Sequence, residues 1–280
     1  MVTRFWVGKH GMNTQEETTN TSLLLLEEDR TAIINKYPEL EKYIVRCQIS
    51  KFWHKVNVLY IFDFREANLE DLYKYPEIAE RLKALVAYRL SRPSLREFAD
   101  TPHLLKGYVY TPHAYAWDIS QSDLFDEHFL VSEVFDSLII YGIGFTDCAD
   151  PALFGLLSTK LIFWWSELLK GVQLTQVHTL TAIPFNSFPP PDCDKTLMGG
   201  IRQAAINLLE VRKKYQPIQY QDIYRPDSGY TDALDSLHEL DVAVFKAYGF
   251  IHEDGSLFTK DEALPLLIEL YADYEAEEYD

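Results

Sequence analysis

Apolar residues recur along the chain at two spacings, and the switches between them mark its organisation. Val56–Phe64, rich in β-branched and aromatic residues, predicts a strand. Thr21–Leu26 and Ile44–Ile49 predict two more. Glu27-Glu28 opens a helix over Asp29–Lys36 that Tyr37-Pro38 ends, and Glu39–Val45 continues helically into the second strand. Asn68–Tyr73 reads as a turn or short helix. From Pro76 the period becomes helical: Ile78, Leu82, Leu85 and Val86 share one face, with Arg81, Lys83 and Arg89 expected outside. Ser91-Arg92-Pro93 breaks that helix. Tyr108–Ala116 reads as extended, and Phe129–Val134 and Ser137–Gly144 as two strands joined by a short turn at Phe135-Asp136.

The middle of the chain carries its most apolar stretch. Asp150-Pro151 offers an N-cap and a proline at the first helical position. A single core helix over Ala152–Leu169 is expected, bearing Phe154, Leu157, Leu161, Trp164, Trp165 and Leu168, and Gly171 stops it. A polar exit strand, Gln173–Thr181, follows, and Pro189-Pro190-Pro191 closes the unit. Beyond it the pattern is helical only: Thr196–Lys214, Tyr230–Tyr248 with Gly249 as its cap, and Asp261–Tyr274 before an acidic tail. The fold class expected is therefore α+β: residues 1–190 form a mixed sheet packed with helices, and residues 191–280 a small all-helical region.

Charge changes this picture more than size does. The 280 residues suit one large domain or two small ones. The net charge is −17, and residues 191–280 hold 19 acidic against 8 basic side chains. Such a surface repels free nucleic acid at long range, and polyanion mimicry is its less ordinary meaning. Arg89, Arg92 and Arg96 form a compact basic cluster in the sequence. Cys47, Cys148 and Cys193 are odd in number and far apart, which suits reduced thiols and a cytoplasmic setting. No CxxC or HxxxH spacing points to a metal, no run of eighteen apolar residues points to a membrane span, and no signal peptide is evident.

Several local phrases, in order, resemble one family. They are the Glu27-Glu28 helix entry, Arg89-Leu90-Ser91-Arg92, Ala99-Asp100-Thr101-Pro102, Val131-Ser132-Glu133, the helix Phe154–Trp165, Phe185-Asn186-Ser187-Phe188-Pro189-Pro190, Ile201–Arg212, Ile223-Tyr224-Arg225, Leu237–Val244 and Ala247-Tyr248-Gly249. Together they look like the target-recognition domain and C-terminal helical region of MmeI-like restriction–modification enzymes and related adenine-specific DNA methyltransferases. Where that family has paired arginines after Ser-Glu, this chain has Val134-Phe135-Asp136.

The resemblance implies a DNA target-recognition module without the catalytic part. Adenine methylation needs an Asn/Asp-Pro-Pro-aromatic loop for the flipped base and a glycine-rich loop for the methyl donor. The sequence contains neither Asn-Pro-Pro nor Asp-Pro-Pro. No catalytic residue, metal or cofactor is therefore expected. The implied DNA contacts are Gln173, Thr175, Gln176, His178 and Thr181 in the groove, since glutamine pairs bidentately with adenine. Ser50, Lys51, Trp53, His54, Arg89, Arg92 and Arg96 would hold phosphates. The implied partners are double-stranded DNA, bound weakly by the chain alone, and a methyltransferase or restriction subunit. The alternative is an acidic, degenerate copy acting as a protein-binding regulator or DNA-mimic inhibitor of a restriction or phage-defence complex. An unrelated enzyme would have to use Asp192-Cys193-Asp194, or Asp235, His238 and Asp241 near one helical face.

Overall fold

The computed structural model describes residues 23–48, 59–105, 109–111, 115–118, 120–121, 127–133, 137–139, 143–146, 148–170, 178–179, 182–215, 218, 220–225 and 227–279. The chain divides into two compact units. One, the sheet unit, comprises residues 8–112 and 134–143; the other, the helical unit, comprises residues 1–7, 113–133 and 144–280.

The sheet unit is built on five strands in the order Leu24–Leu25, Leu59–Phe62, Ile44–Gln48, Ser137–Ile139, Val109–Thr111. Neighbours run antiparallel except Ile44–Gln48 and Ser137–Ile139, which are parallel with Cys47 opposite Leu138. Ile61 and Phe62 are both fully buried although they point to opposite faces, so both faces of this strand are covered there. Phe62 and Phe64 stack at 4.8 Å, with Leu25, Ile33, Leu40, Cys47 and Leu72 in the same apolar cluster. The helix Pro76–Ser91 adds Ile78, Leu82 and Leu85 to it. Arg89 continues that stripe, four residues beyond Leu85, and is 0% exposed rather than outside. A 3-10 turn, Pro93–Phe98, follows the helix.

The expected hairpin over Phe129–Gly144 does not form. Val131–Glu133 pairs with Tyr115–Asp118 in a three-stranded sheet completed by Ile143–Thr146, while Ser137–Ile139 fills the slot between Ile44–Gln48 and Val109–Thr111. A central slot lets a strand pair along both edges, which a two-stranded hairpin cannot offer.

The helical unit contains the helices Pro151–Leu157, Lys160–Lys170, Ala182–Asn186, Lys195–Lys214, Tyr220–Ile223, Thr231–Tyr248 and Lys260–Tyr279. Asp150 caps the first through the Ala152 amide, as its sequence position predicts. The single helix expected over Ala152–Leu169 is in fact two, bent by 53° at Ser158-Thr159. Phe154, Leu157, Leu161, Ile162, Phe163, Trp164 and Trp165 are all buried in it. Trp117 stacks on Phe185 at 4.8 Å, fastening the small sheet to this core. At Gly155 a β-carbon would lie 2.7 Å from Ile201 Cγ2, so only glycine permits this approach to the helix Lys195–Lys214. Gly249 ends Thr231–Tyr248 in the left-handed conformation, φ 73°. Pro189–Asp194, the expected domain boundary, lies within this unit, and the Tyr248 hydroxyl donates to Pro189 O at 2.7 Å. Among the described residues no single helix is long and apolar enough to cross a membrane.

Candidate nucleic-acid interface

The basic cluster sits where the helix Pro76–Ser91 ends and the 3-10 turn begins, and its three arginines part company there. Arg89 points inward. Its Nη1 donates to Phe98 O at 2.8 Å and Thr101 O at 2.9 Å, and its Nη2 to Leu104 O at 2.8 Å. A guanidinium committed to three carbonyls and shut off from solvent organises the turn from Phe98 to Leu104, so the expected phosphate contact at Arg89 is corrected to a structural role. His103, in that turn, is held below the usual histidine range by burial and then by the Arg89 charge. Arg92 and Arg96 are exposed. Arg92 closes the helix in an extended conformation, with its guanidinium 5.5 Å from the Tyr88 ring centre. Arg96 reaches back with Nε to Leu90 O at 3.1 Å, which sets the direction of its guanidinium. Pro93 makes this geometry by stopping the helix one turn before Arg96.

His178 lies on the short strand His178–Thr179, antiparallel to Ser120–Gln121 with His178 opposite Gln121. The exit strand foreseen over Gln173–Thr181 is thus a strand at these two residues. Ser50, Lys51, Trp53, His54, Gln173, Thr175, Gln176 and Thr181 lie outside the described residues.

Two buried charged centres lie in the helical unit; Arg212 was not singled out as a site by the sequence, and Asp241 only as part of the enzyme alternative with Asp235 and His238. Asp241 is 2% exposed. Its Oδ1 accepts from the Thr159 hydroxyl at 2.9 Å and the Lys160 amide at 3.1 Å, and its Oδ2 meets His128 Nε2 at 2.8 Å. Arg212, 3% exposed, donates from Nε to the Tyr224 hydroxyl at 2.7 Å and from Nη1 to Val131 O at 2.6 Å, with its guanidinium 5.3 Å from the Phe154 ring centre. Asp241 also explains the helix break: it captures the hydroxyl and the amide at the start of Lys160–Lys170. Glu133, at the end of the strand that Arg212 contacts, has its carboxyl pushed up by partial burial, which Lys213 opposes. The signal that could have found these centres was present, since Arg212 ends an apolar helical stripe and Asp241 follows Leu240 on another.

The groupings that an unrelated enzyme would need do not converge. Asp235 and His238 are exposed whereas Asp241 is buried, because six residues span about one and two-thirds helical turns. Asp194 is spent on capping Lys195–Lys214 through the Thr196 and Leu197 amides, at 2.8 and 2.9 Å. Burial, then the neighbouring Asp194 and Asp192 charges, push the Cys193 thiol up, away from a reactive thiolate. Among the described residues no group of three or more His, Cys, Asp or Glu side chains could hold a metal ion.

Small sheets packed among many helices define a mixed α/β protein, and Arg92 and Arg96 lie exposed at one helix-ending turn of it. The chain belongs to the MmeI target recognition domain family, whose family model matches residues 8–192. It is 23% identical over 260 residues to DNA methyltransferase A of Bacillus subtilis (strain 168), covering 89% of this chain and 28% of that protein. The fold matches that of the Type IIL restriction–modification enzyme MmeI, solved in complex with DNA, with a TM-score of 0.77 and 21% identity over 98% of this chain and 35% of that one. The chain therefore spans about a third of the length of the relatives it matches.

Proposed function

We propose that this chain is the DNA target-recognition module of an MmeI-like restriction–modification or adenine-methylation system. The observation that carries the reading is the family match over residues 8–192, extended by a fold match along nearly the whole chain to an enzyme solved with DNA bound. Residues 1–190 are the reading part and residues 191–280 a supporting helical region. The chain holds and reads the duplex, and chemistry on the base belongs to a methyltransferase part or partner. Arg92 and Arg96 hold phosphates, together with Lys51, Trp53 and His54, while Gln173, Thr175, Gln176, His178 and Thr181 meet base edges. The system works in the cytoplasm, where host DNA is to be marked.

The −17 charge makes the electrostatic part of binding weak, so specific contacts must supply more of the affinity than is usual. The test is selection from a duplex pool with a randomised core, at low salt, with and without a methyltransferase subunit. Sequencing the retained duplexes is expected to return one enriched motif. Retention of no duplex, or of duplexes without any motif, under both conditions would end this reading.

A further inference from the structure

We infer that Asp241 and Arg212 are positioning residues for DNA reading: they fix the segment Glu127–Glu133 and the helix junction at Ser158-Thr159, so the recognition module is completed by residues 193–248. Both residues lie beyond position 192, where the family match ends. The inference rests on the DNA-reading function proposed above.

Asp241 acts as a cap supplied from another helix. Asp241 Oδ1 accepts from the first amide of Lys160–Lys170 at 3.1 Å across 81 residues of sequence. The same oxygen takes the Thr159 hydroxyl, so one carboxylate fixes the bend between the two core helices. The other oxygen holds His128 at 2.8 Å. His128 follows Glu127, whose φ of 56° is left-handed and disfavoured for any residue with a β-carbon. Such a conformation persists where its surroundings over-determine it. Three residues on, Arg212 binds Val131 O at 2.6 Å. The stretch from Glu127 to Val131 is thus pinned at both ends by side chains from the helices Thr231–Tyr248 and Lys195–Lys214. It leads directly into Ser132-Glu133, the phrase shared with the family in sequence.

The test compares wild type, Asp241→Ala, Asp241→Asn and Arg212→Lys in the full chain. Hydrogen exchange is followed at residues 127–133 and 158–163, and affinity is measured for the duplex selected from the pool and for a scrambled duplex. Asp241→Ala is expected to speed exchange in both segments about tenfold or more, and to cut the preference for the selected duplex by a similar factor while scrambled-duplex affinity stays within about twofold. Asp241→Asn keeps an acceptor for Thr159 and Lys160 and is expected to recover most of both effects. Wild-type exchange and preference in a folded Asp241→Ala protein overturn the inference. So does an equal loss of both affinities that Asp241→Asn does not rescue, because that marks a purely structural role. Should Asp241→Ala be insoluble, His128→Ala and Arg212→Lys are measured by the same readouts, with the same local acceleration expected and the same wild-type result counting against it. If wild type selects no duplex, the functional reading falls, and unchanged exchange would separately overturn the positioning role.

Discussion

The sheet unit and the helical unit handle buried charge differently. Among the described residues the sheet unit buries one charged side chain, Arg89, whose three carbonyl partners lie 9, 12 and 15 residues further along the chain. The helical unit buries Asp241 and Arg212; Arg212 has one local partner, Tyr224, 12 residues on, but His128, Thr159, Lys160 and Val131 lie 81 to 113 residues away. A local set of bonds shapes one turn on a core that is otherwise apolar. A long-range set decides how separate segments meet, so its loss reaches the whole unit. The comparison teaches that buried polar groups are informative chiefly through the sequence distance they span.

The widest difference should come from removing the long-range charges. Arg212→Ala leaves Val131 O and the Tyr224 hydroxyl without their donor in a buried site, and about 3 kcal/mol of stability is expected to go. Denaturant unfolding followed by tryptophan fluorescence measures it, and a loss below about 1 kcal/mol would erase the contrast between the units. Arg89→Ala should cost less, about 2 kcal/mol, because the turn it organises can turn its carbonyls to water. Hydrogen exchange at residues 98–105 should quicken there while the strands Ile44–Gln48 and Leu59–Phe62 keep their protection.

A packing change sharpens the comparison at intermediate size. Gly155→Ala puts a β-carbon 2.7 Å from Ile201 Cγ2 and 3.1 Å from Leu240 Cδ1. Ile201 is β-branched and fully buried, so it cannot swing aside. Overpacking of about 1–3 kcal/mol is partly offset by the better helix propensity of alanine, about 1 kcal/mol, leaving a net loss of up to about 2 kcal/mol in thermal or denaturant unfolding. An unchanged protein would mean that the two helices can slide apart.

Much of this was legible in the sequence, and what was missed has a common cause. The strands around Ile44 and Leu59, the helix from Pro76, the Asp150 cap and the terminal helices follow from period and cap chemistry, which are local. The bend at Ser158-Thr159 was not legible, because the residue that makes it is Asp241. The pairing of Ser137–Ile139 was not legible either, since a short turn at Phe135-Asp136 favours a hairpin unless a slot in another sheet is open. Arg89 was misplaced because its charge argued for solvent, although its spacing from Ile78, Leu82 and Leu85 already put it on the buried face. The family itself was legible in the ordered phrases, and several of those turn out to be structural: Arg212 and Asp241 end two of the phrases or stand within them.

A smaller effect is tied to pH. Pairing with Arg202, at 2.8 Å to each oxygen, together with the Ala152 amide outweighs burial and holds the Asp150 carboxyl below its ordinary range. A depressed native value means that the stabilisation is fully present above the unfolded-state value, near 3.8, and is lost as pH falls through the lower native one. Both side chains are partly exposed, so solvent screens the pair, and Asp150→Asn should cost about 1 kcal/mol or less at neutral pH. The wild-type and variant unfolding curves should converge as the medium is acidified through that window. A constant offset down to the acid limit would assign the effect to side-chain shape and not to charge.

The smallest expected change in stability belongs to Arg92→Ala and Arg96→Ala, and it separates folding from function most cleanly. Both side chains are exposed; the Arg92 guanidinium lies over the Tyr88 ring and Arg96 donates to Leu90 O. Surface substitutions of this kind stay within about 0.5 kcal/mol. If these arginines hold phosphates, each replacement should weaken the selected and scrambled duplexes alike and lower the dependence of log affinity on log salt by about one. Loss of preference without a change in salt slope would instead mean that the turn meets base edges. Wild-type affinity and slope in the double variant would move the phosphate contacts elsewhere on the chain and leave Arg89, Arg92 and Arg96 as three arginines close in sequence, without a shared role.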